Sequence, residues 1–361
     1  MAKKNVVVGM SGGVDSSVAA YLLQKAGYEV IGVTMQIWPE DAPQEESGGC
    51  CGLTAVDDAR HVCEQLKIPH YTLNFRNDFN TYVIDYFVAE YRQGRTPNPC
   101  IACNRYVKWE SLLTKALQIG ADYIATGHYA RVLFSESTGR YLLMQAATIK
   151  KDQTYALYNL TQEQLAHTLM PLGDYTKEEV RRLAEEIGLP VADKPDSQEI
   201  CFIPDHDYGR FIETHSASPG EPGNFVDRQG RVLGPHKGII HYTIGQRKGL
   251  GLAAGKPLYV LEIRPTSNEV VVGADEEVYQ RTVYADQLNF IPFEKLQTKL
   301  EVGAKIRYNH SPAPAIVEMV DDTILRCVFQ QPQRAITPGQ ALVLYDGDLV
   351  VGGGSIIRGE A

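Results

Sequence analysis

Gly9-Met-Ser-Gly-Gly-Val-Asp-Ser-Ser17 joins a β-branched run at residues 5–10 to a segment of helical spacing at residues 16–26, where Val18, Leu22, Leu23 and Ala26 recur and Gly27 closes the run. A strand that passes through glycines into a helix opens an α/β fold, and this position suits a phosphate. Gly12 and Gly13 permit close backbone approach and unusual φ angles. The helix start presents unpaired N–H groups at the positive end of its dipole. Ser11, Ser16 and Ser17 add hydroxyls. The stretch has neither the Gly-x4-Gly-Lys-Ser/Thr spacing with its lysine nor the Gly-x-Gly-x-x-Gly pattern. Asp15 would repel a phosphate unless a divalent cation lay between them, so it reads as a magnesium partner.

Outward from that loop, residues 30–38, 71–75 and 123–126 read as strands and residues 57–67, 78–92 and 104–119 as helices. This alternation predicts a parallel sheet covered by helices, with ligands beyond the carboxyl ends of its strands. Thr176-Lys-Glu-Glu179 has the form of a capping box and opens a helix to Ile187. From Ser216 the texture changes to Pro-Gly punctuation with short strands at 258–263 and 270–272, and Asp346-Gly347 joins residues 342–345 to 349–351 as a closing hairpin. The expected organisation is an α/β domain at residues 1–205, a small mixed domain at 206–280 and a C-terminal β-barrel domain at 281–361.

In 361 residues no apolar run approaches the ~18 residues of a membrane span. The basic start is followed by an apolar run that ends at Gly9-Met10, with Asp15 beyond, which excludes a secretory h-region. Seven cysteines, an odd number, fit reduced thiols in the cytoplasm better than a disulfide framework. A net charge of −9 gives no global sign of a polyanion partner, yet the charge is segregated. Residues 91–108 carry Arg92, Arg95, Arg105 and Lys108 without an acid, and residues 228–256 carry Arg228, Arg231, Lys237, Arg247, Lys248 and Lys256 likewise. Acids gather at 40–46 and 174–199. On charge alone, local basic stretches of this kind fit a nucleic-acid footprint and chance segregation on a solvated surface equally.

Cys100-Ile-Ala-Cys103 follows a Pro-rich loop and enters a helix between Arg95 and Arg105, where a thiolate is favoured. Cys201 sits in a loop, Cys63 and Cys327 fall on apolar faces, and Cys50-Cys51 has no assigned role. A single Cys-x2-Cys without a His-x3–5-His pair is a weak zinc signal.

Ser11-Gly-Gly-Val-Asp-Ser16 resembles the PP-loop of ATP pyrophosphatases, which cleave ATP between its α and β phosphates and adenylate a substrate. From Gly9 to the C-terminus the chain resembles the bacterial tRNA-specific 2-thiouridylases. The likeness is carried by Arg95-Thr-Pro-Asn-Pro99, Thr126-Gly-His-Tyr129, Lys151-Asp-Gln153, Ser197-Gln-Glu-Ile-Cys-Phe202, Tyr242-Thr-Ile-Gly-Gln-Arg247 and Pro338-Gly-Gln340. The resemblance implies a PP-loop (adenine nucleotide alpha hydrolase-like) domain, a central tRNA-binding domain and a barrel. It implies ATP-dependent 2-thiolation of the wobble uridine, with ATP and magnesium as cofactors. Lysine, glutamate and glutamine tRNAs are the implied acceptors, and a cysteine desulfurase or sulfur carrier the implied donor. By the same resemblance Gly9, Met10, Ser11, Gly12, Gly13, Val14, Asp15, Ser16, Met35 and Gly127 contact ATP, and Asn98, Pro99 and Cys100 face the target base. Cys103 is the nucleophile, Cys201 the persulfide carrier, and a disulfide between them the by-product. His128, Lys151, Asp152, Gln153, Arg307, Tyr308 and Gln340 meet tRNA. Many family members have an acid where this chain has Cys100, so Cys100, Cys103 and Cys201 together are candidate ligands of an iron–sulfur cluster. Three rivals remain: an amide-forming PP-loop synthetase, an RNA-binding protein that holds ATP without reacting it, and a redox sensor built on Cys100 and Cys103.

Overall fold

The structure, a computed structural model, describes residues 3–38, 53–194, 200–203, 205–216, 220–253 and 255–360. Cys50, Cys51, the acidic run at 40–46 and residues 197–199 of the Cys201 motif lie outside the described residues. The chain divides into two compact units. One comprises Met1–Val83, Cys100–His206 and Asp348–Val350; the other comprises Ile84–Pro99, Asp207–Gly347 and Val351–Ala361.

In the first unit the strands are β1 (Asn5–Gly9), β2 (Glu29–Gln36), β3 (His70–Asn74), β4 (Tyr123–Ala125), β5 (Ala130–Ser135), β6 (Arg140–Gln145) and β7 (Thr168–Leu169). The parallel sheet has the order β3-β2-β1-β4-β7, with Val7 of β1 opposite Ile31 and Ile124. The central strand is buried on both faces, and Val6, Val7 and Val8 are at most 1% exposed, as expected for parallel strands between helices. Helix α1 (Val14–Lys25) packs Val18, Ala19, Ala20 and Leu23 into the core beside Ala59, Val62 and Cys63 of α2 (Leu53–Leu66). Cys63 is fully buried, and burial pushes its thiol up to about 12, so it is a packing residue. The capping box at Thr176 and Glu179 forms with both reciprocal bonds, 3.1 and 2.8 Å, and starts the helix Lys177–Glu186.

The helix expected from residue 104 is not a plain α-helix. A single α turn at Pro99–Ala102 leads into a π-wound stretch, Cys103–Leu112, before Leu113–Gln118 returns to α. Its wide winding is held from outside: Asn104 Nδ2 donates to the Ala156 carbonyl, Trp109 Nε1 to Thr168 Oγ1, and Gln164 Nε2 to the Trp109 carbonyl. Such segments concentrate at functional sites.

The second unit holds a four-stranded sheet of order β10-β11-β8-β9, formed by β8 (Gly223–Val226), β9 (Val232–His236), β10 (Tyr259–Arg264) and β11 (Glu269–Gly273). Phe225, Tyr242, Val260, Val270 and Val272 fill its core. The remaining strands are β12 (Tyr279–Phe290), β13 (Leu300–Lys305), β14 (Ala313–Met319), β15 (Leu325–Arg334), β16 (Ala341–Asp346) and β17 (Leu349–Glu360). They run β12-β15-β14-β13-β16-β17, and a β12–β17 pairing closes the barrel, so no edge remains. Alternate residues of β15, Leu325, Cys327 and Phe329, point into its core. No helix among the described residues is long and apolar enough to cross a membrane.

Candidate active site

β1 ends at Gly9, opposite Val33, and the chain crosses the carboxyl edge of the sheet into α1. Gly13 is the N-cap and supplies no side-chain bond to the first-turn N–H groups. The nearby hydroxyls are turned elsewhere. Ser16 Oγ lies 3.1 Å from Ser11 Oγ and 3.2 Å from the Gly13 carbonyl, and Ser17 Oγ donates to that carbonyl at 2.8 Å. The start of α1 is therefore an anion site in the physical sense, with uncapped donors and the positive dipole end. Gly12 has φ +66°, and a Cβ there would lie 2.8 Å from Ala55 Cα, so only glycine lets the loop pass α2. Met35, two residues beyond the partner of Gly9, stands near the same edge of the sheet.

Gly127 follows β4 and closes on the loop: a Cβ there would stand 2.7 Å from the Asp15 carbonyl carbon and from the Ser16 nitrogen. Asp15 itself is engaged. Lys177 Nζ reaches its two carboxylate oxygens at 2.7 and 2.9 Å, and the Tyr129 hydroxyl donates to one of them at 2.7 Å. The loop, Met35, Gly127 and Asp15 are thus gathered at one edge of one sheet. The Asp15 charge is met by Lys177, and among the described residues no three His, Cys, Asp or Glu side chains group so as to hold a metal by themselves. The same holds for Cys100, Cys103 and Cys201, so no iron–sulfur ligand set forms from them.

Cys103 begins the π-wound stretch and is partly exposed; Cys100, one turn earlier, is exposed. Cys201 is partly exposed, and the ring of its neighbour Phe202 is buried edge-on against Phe79, 5.7 Å between centroids. Cys103 and Cys201 belong to the same compact unit and are not joined in a disulfide.

His128 follows Gly127, its Nδ1 2.7 Å from Thr126 Oγ1 and its ring 5.6 Å from Trp109. Burial, with Lys108 second, pushes its pKa well below the ordinary histidine value. It is a neutral hydrogen-bonding group and offers no charge to a phosphate. Of the stretch expected to meet tRNA, Lys151 is partly exposed, but Asp152 is buried and accepts from the Ala146 nitrogen at 3.1 Å and from Thr154 Oγ1 at 2.7 Å. Gln153 Oε1 accepts from the Tyr129 nitrogen at 2.9 Å, and so supports the strand end that carries Gly127 and His128.

In the second unit, Gln340 Nε2 donates to the Thr96 carbonyl at 2.8 Å, and the Thr96 nitrogen donates to the Pro338 carbonyl at 2.8 Å. Gln340 thereby braces the loop that carries Asn98 and Pro99. Arg307 Nη2 donates to the Ala335 carbonyl at 2.7 Å, while Tyr308 beside it is 39% exposed. The basic stretches also divide. Arg95 pairs with Glu90, Arg228 with Glu277 and Arg231 with Asp227, whereas Arg247, Lys248 and Lys256 are exposed on one loop.

A parallel sheet whose carboxyl edge carries an uncapped, glycine-rich helix entry defines a phosphate-binding α/β domain, here with reduced thiols in the same unit. Comparison with known families and proteins agrees. Residues 4–205 match the family described as the tRNA methyl transferase HUP domain, residues 209–274 its PRC-barrel domain, and residues 280–356 an aminomethyltransferase beta-barrel domain. A tRNA-specific 2-thiouridylase MnmA of Lachnoclostridium phytofermentans is 62% identical over 98% of this chain and 100% of its own. That of Acetivibrio thermocellus is 59% identical over 99% and 100%. Full-length identity at this level outweighs the methyl-transferase label of the domain families. The chain belongs to the tRNA-specific 2-thiouridylase family.

Proposed function

We propose that the protein replaces the C2 oxygen of the wobble uridine of tRNA with sulfur, consuming ATP and releasing AMP and pyrophosphate. Loss of an oxide-like group from uracil C2 is slow without activation. ATP seated at the start of α1 adenylates that oxygen, and the first-turn N–H groups stabilise charge on the departing pyrophosphate. A persulfide on Cys201 then supplies sulfur. Its terminal sulfur attacks C2, the C2–O bond breaks and AMP leaves. Cys103 attacks the remaining Cys201 sulfur, the S–S bond to the transferred sulfur breaks, and 2-thiouridine is left with a Cys103–Cys201 disulfide. Cellular thiols reduce that disulfide by exchange. In the alternative order, Cys103 attacks first and releases hydrosulfide, which then displaces AMP.

Magnesium enters with ATP as part of the substrate. Asn98, Pro99 and Cys100 are assigned to the target base, and Lys151, Tyr308, Arg247, Lys248 and Lys256 to the RNA backbone. His128, Asp152, Gln153, Arg307 and Gln340 act by holding the loops that these residues occupy. Lysine, glutamate and glutamine tRNAs are the expected acceptors, and a cytoplasmic cysteine desulfurase or sulfur carrier the expected donor.

The observation that carries this reading is the presence, in one compact unit, of an open phosphate loop and two partly exposed thiols that are not cross-linked. An amide-forming synthetase has no use for the thiols, and a redox sensor none for the loop. Oxygen tracing tests it. With tRNA carrying heavy oxygen at uridine C2, the label is expected in AMP; unlabelled AMP would remove the adenylation step.

A further inference from the structure

The phosphate loop has no lysine of its own, yet two lysines reach it from one distant arm, residues 177–194. Lys177 is the first residue of the helix Lys177–Glu186, where the dipole disfavours a cation, and it is only 6% exposed. Its Nζ is bound to Asp15, 162 positions away, at 2.7 and 2.9 Å. Lys194 Nζ donates to the Gly12 carbonyl at 3.0 Å and pairs with Asp58 of α2 at 2.7 Å. The arm is rigid: the capping box fixes Lys177, and Arg181 donates to the Ala192 and Lys194 carbonyls at 3.1 and 3.2 Å.

A buried ammonium at the wrong end of a helix needs a strong compensating anion, and here that anion is the one carboxylate of the phosphate loop. We infer that Lys177 is a positioning residue of the nucleotide site: it cancels and orients the Asp15 carboxylate so that a triphosphate can seat on the start of α1, while Lys194 holds the Gly12 backbone in register. The inference rests on the ATP reading of the loop and adds the source of its positive charge. Without Lys177, the Asp15 carboxylate faces the phosphates unopposed and repels them in a partly desolvated site. Without both groups, the repulsion is absent again.

A charge cycle tests this with a non-hydrolysable ATP analogue, magnesium and calorimetric titration of the full chain. Lys177→Met is expected to weaken analogue binding about tenfold or more, and Lys177→Arg by less than about fivefold. In the Asp15→Asn background, Lys177→Met is expected to change affinity by less than about threefold, because the charge it opposed is gone. A merely structural lysine would cost the same in both backgrounds. Near-normal affinity of Lys177→Met, or an equal loss with and without the Asp15 charge, overturns the inference. If Lys177→Met does not fold, the double variant, which buries no unpaired charge, is compared with Asp15→Asn alone, and a further loss beyond about tenfold overturns it. A wild-type protein that binds no analogue would refute the ATP reading instead.

Discussion

Adding one methyl group at Gly127 probes the contact between the β4 edge and the phosphate loop. A Cβ there stands 2.7 Å from the Asp15 carbonyl carbon and the Ser16 nitrogen, and 2.9 Å from Asp15 Cβ. Two of these neighbours are backbone atoms of the helix start, which cannot rotate away as a side-chain tip can. Restoring an ordinary contact of about 3.4 Å requires a displacement of about 0.7 Å, and overpacking of this kind costs about 1–3 kcal/mol. For a unit of this size that lowers the melting temperature by about 2–10 °C. The effect on chemistry is larger, because a shift approaching 1 Å at a reacting centre costs up to about a hundredfold. Gly127→Ala is therefore expected to lower tRNA-dependent AMP formation about 10–100-fold while the protein stays folded at 25 °C. The assay follows AMP and the melting transition on the same preparation. A lower melting temperature with turnover within about threefold of wild type would refute the placement of the loop as the site of ATP chemistry, since the strain would have been absorbed without consequence.

Three further outcomes follow from the same geometry. Cys103→Ala and Cys201→Ala are each expected to abolish thiolation in a nucleoside assay and to leave ATP-analogue affinity within about twofold, as neither thiol lies in the loop; appreciable turnover in either variant removes that cysteine from the sulfur path. Arg247→Ala with Lys248→Ala is expected to lower the slope of log affinity for tRNA against log salt by about 1 to 2, read from filter binding, and an unchanged slope would place the RNA backbone elsewhere. His70, His128, His236, His241 and His310 are all depressed first by burial. The unfolded chain therefore binds more protons just below the ordinary histidine pKa of about 6.5, and stability present above that value is lost as pH falls through it. The urea midpoint is expected to drop between pH 7.5 and 5.5, by less in His128→Gln, and a constant midpoint would contradict the burial of these rings.

The loop was legible because its physics is local: β-branched residues, then glycines and serines, then helical spacing, all within some twenty positions. The capping box at Thr176 and the Asp346-Gly347 turn carry their signals in the same short range, and both formed. What escaped had no local signal. β7 is two residues long, and the hairpin of β5 and β6 leaves Leu133 and Phe134 exposed, so neither shows a core-facing period. The π winding after Cys103 is imposed by Asn104, Trp109 and Gln164 bonding across sequence distances of about fifty positions. The Lys177 partner of Asp15 comes from 162 positions down the chain, so nothing beside the loop announces it. Asp152 turns inward to the Ala146 nitrogen and to Thr154, partners only six and two positions away, a burial that a charged residue between Lys151 and Gln153 does not announce.

The most direct measurement is mass spectrometry of nucleosides from unmodified tRNA incubated with the protein, ATP, magnesium and a persulfide donor. The account predicts 2-thiouridine at the wobble position, formed in step with AMP and pyrophosphate. Uridine left unchanged while AMP and pyrophosphate are released, or a thiolated product accompanied by ADP and phosphate, would contradict it.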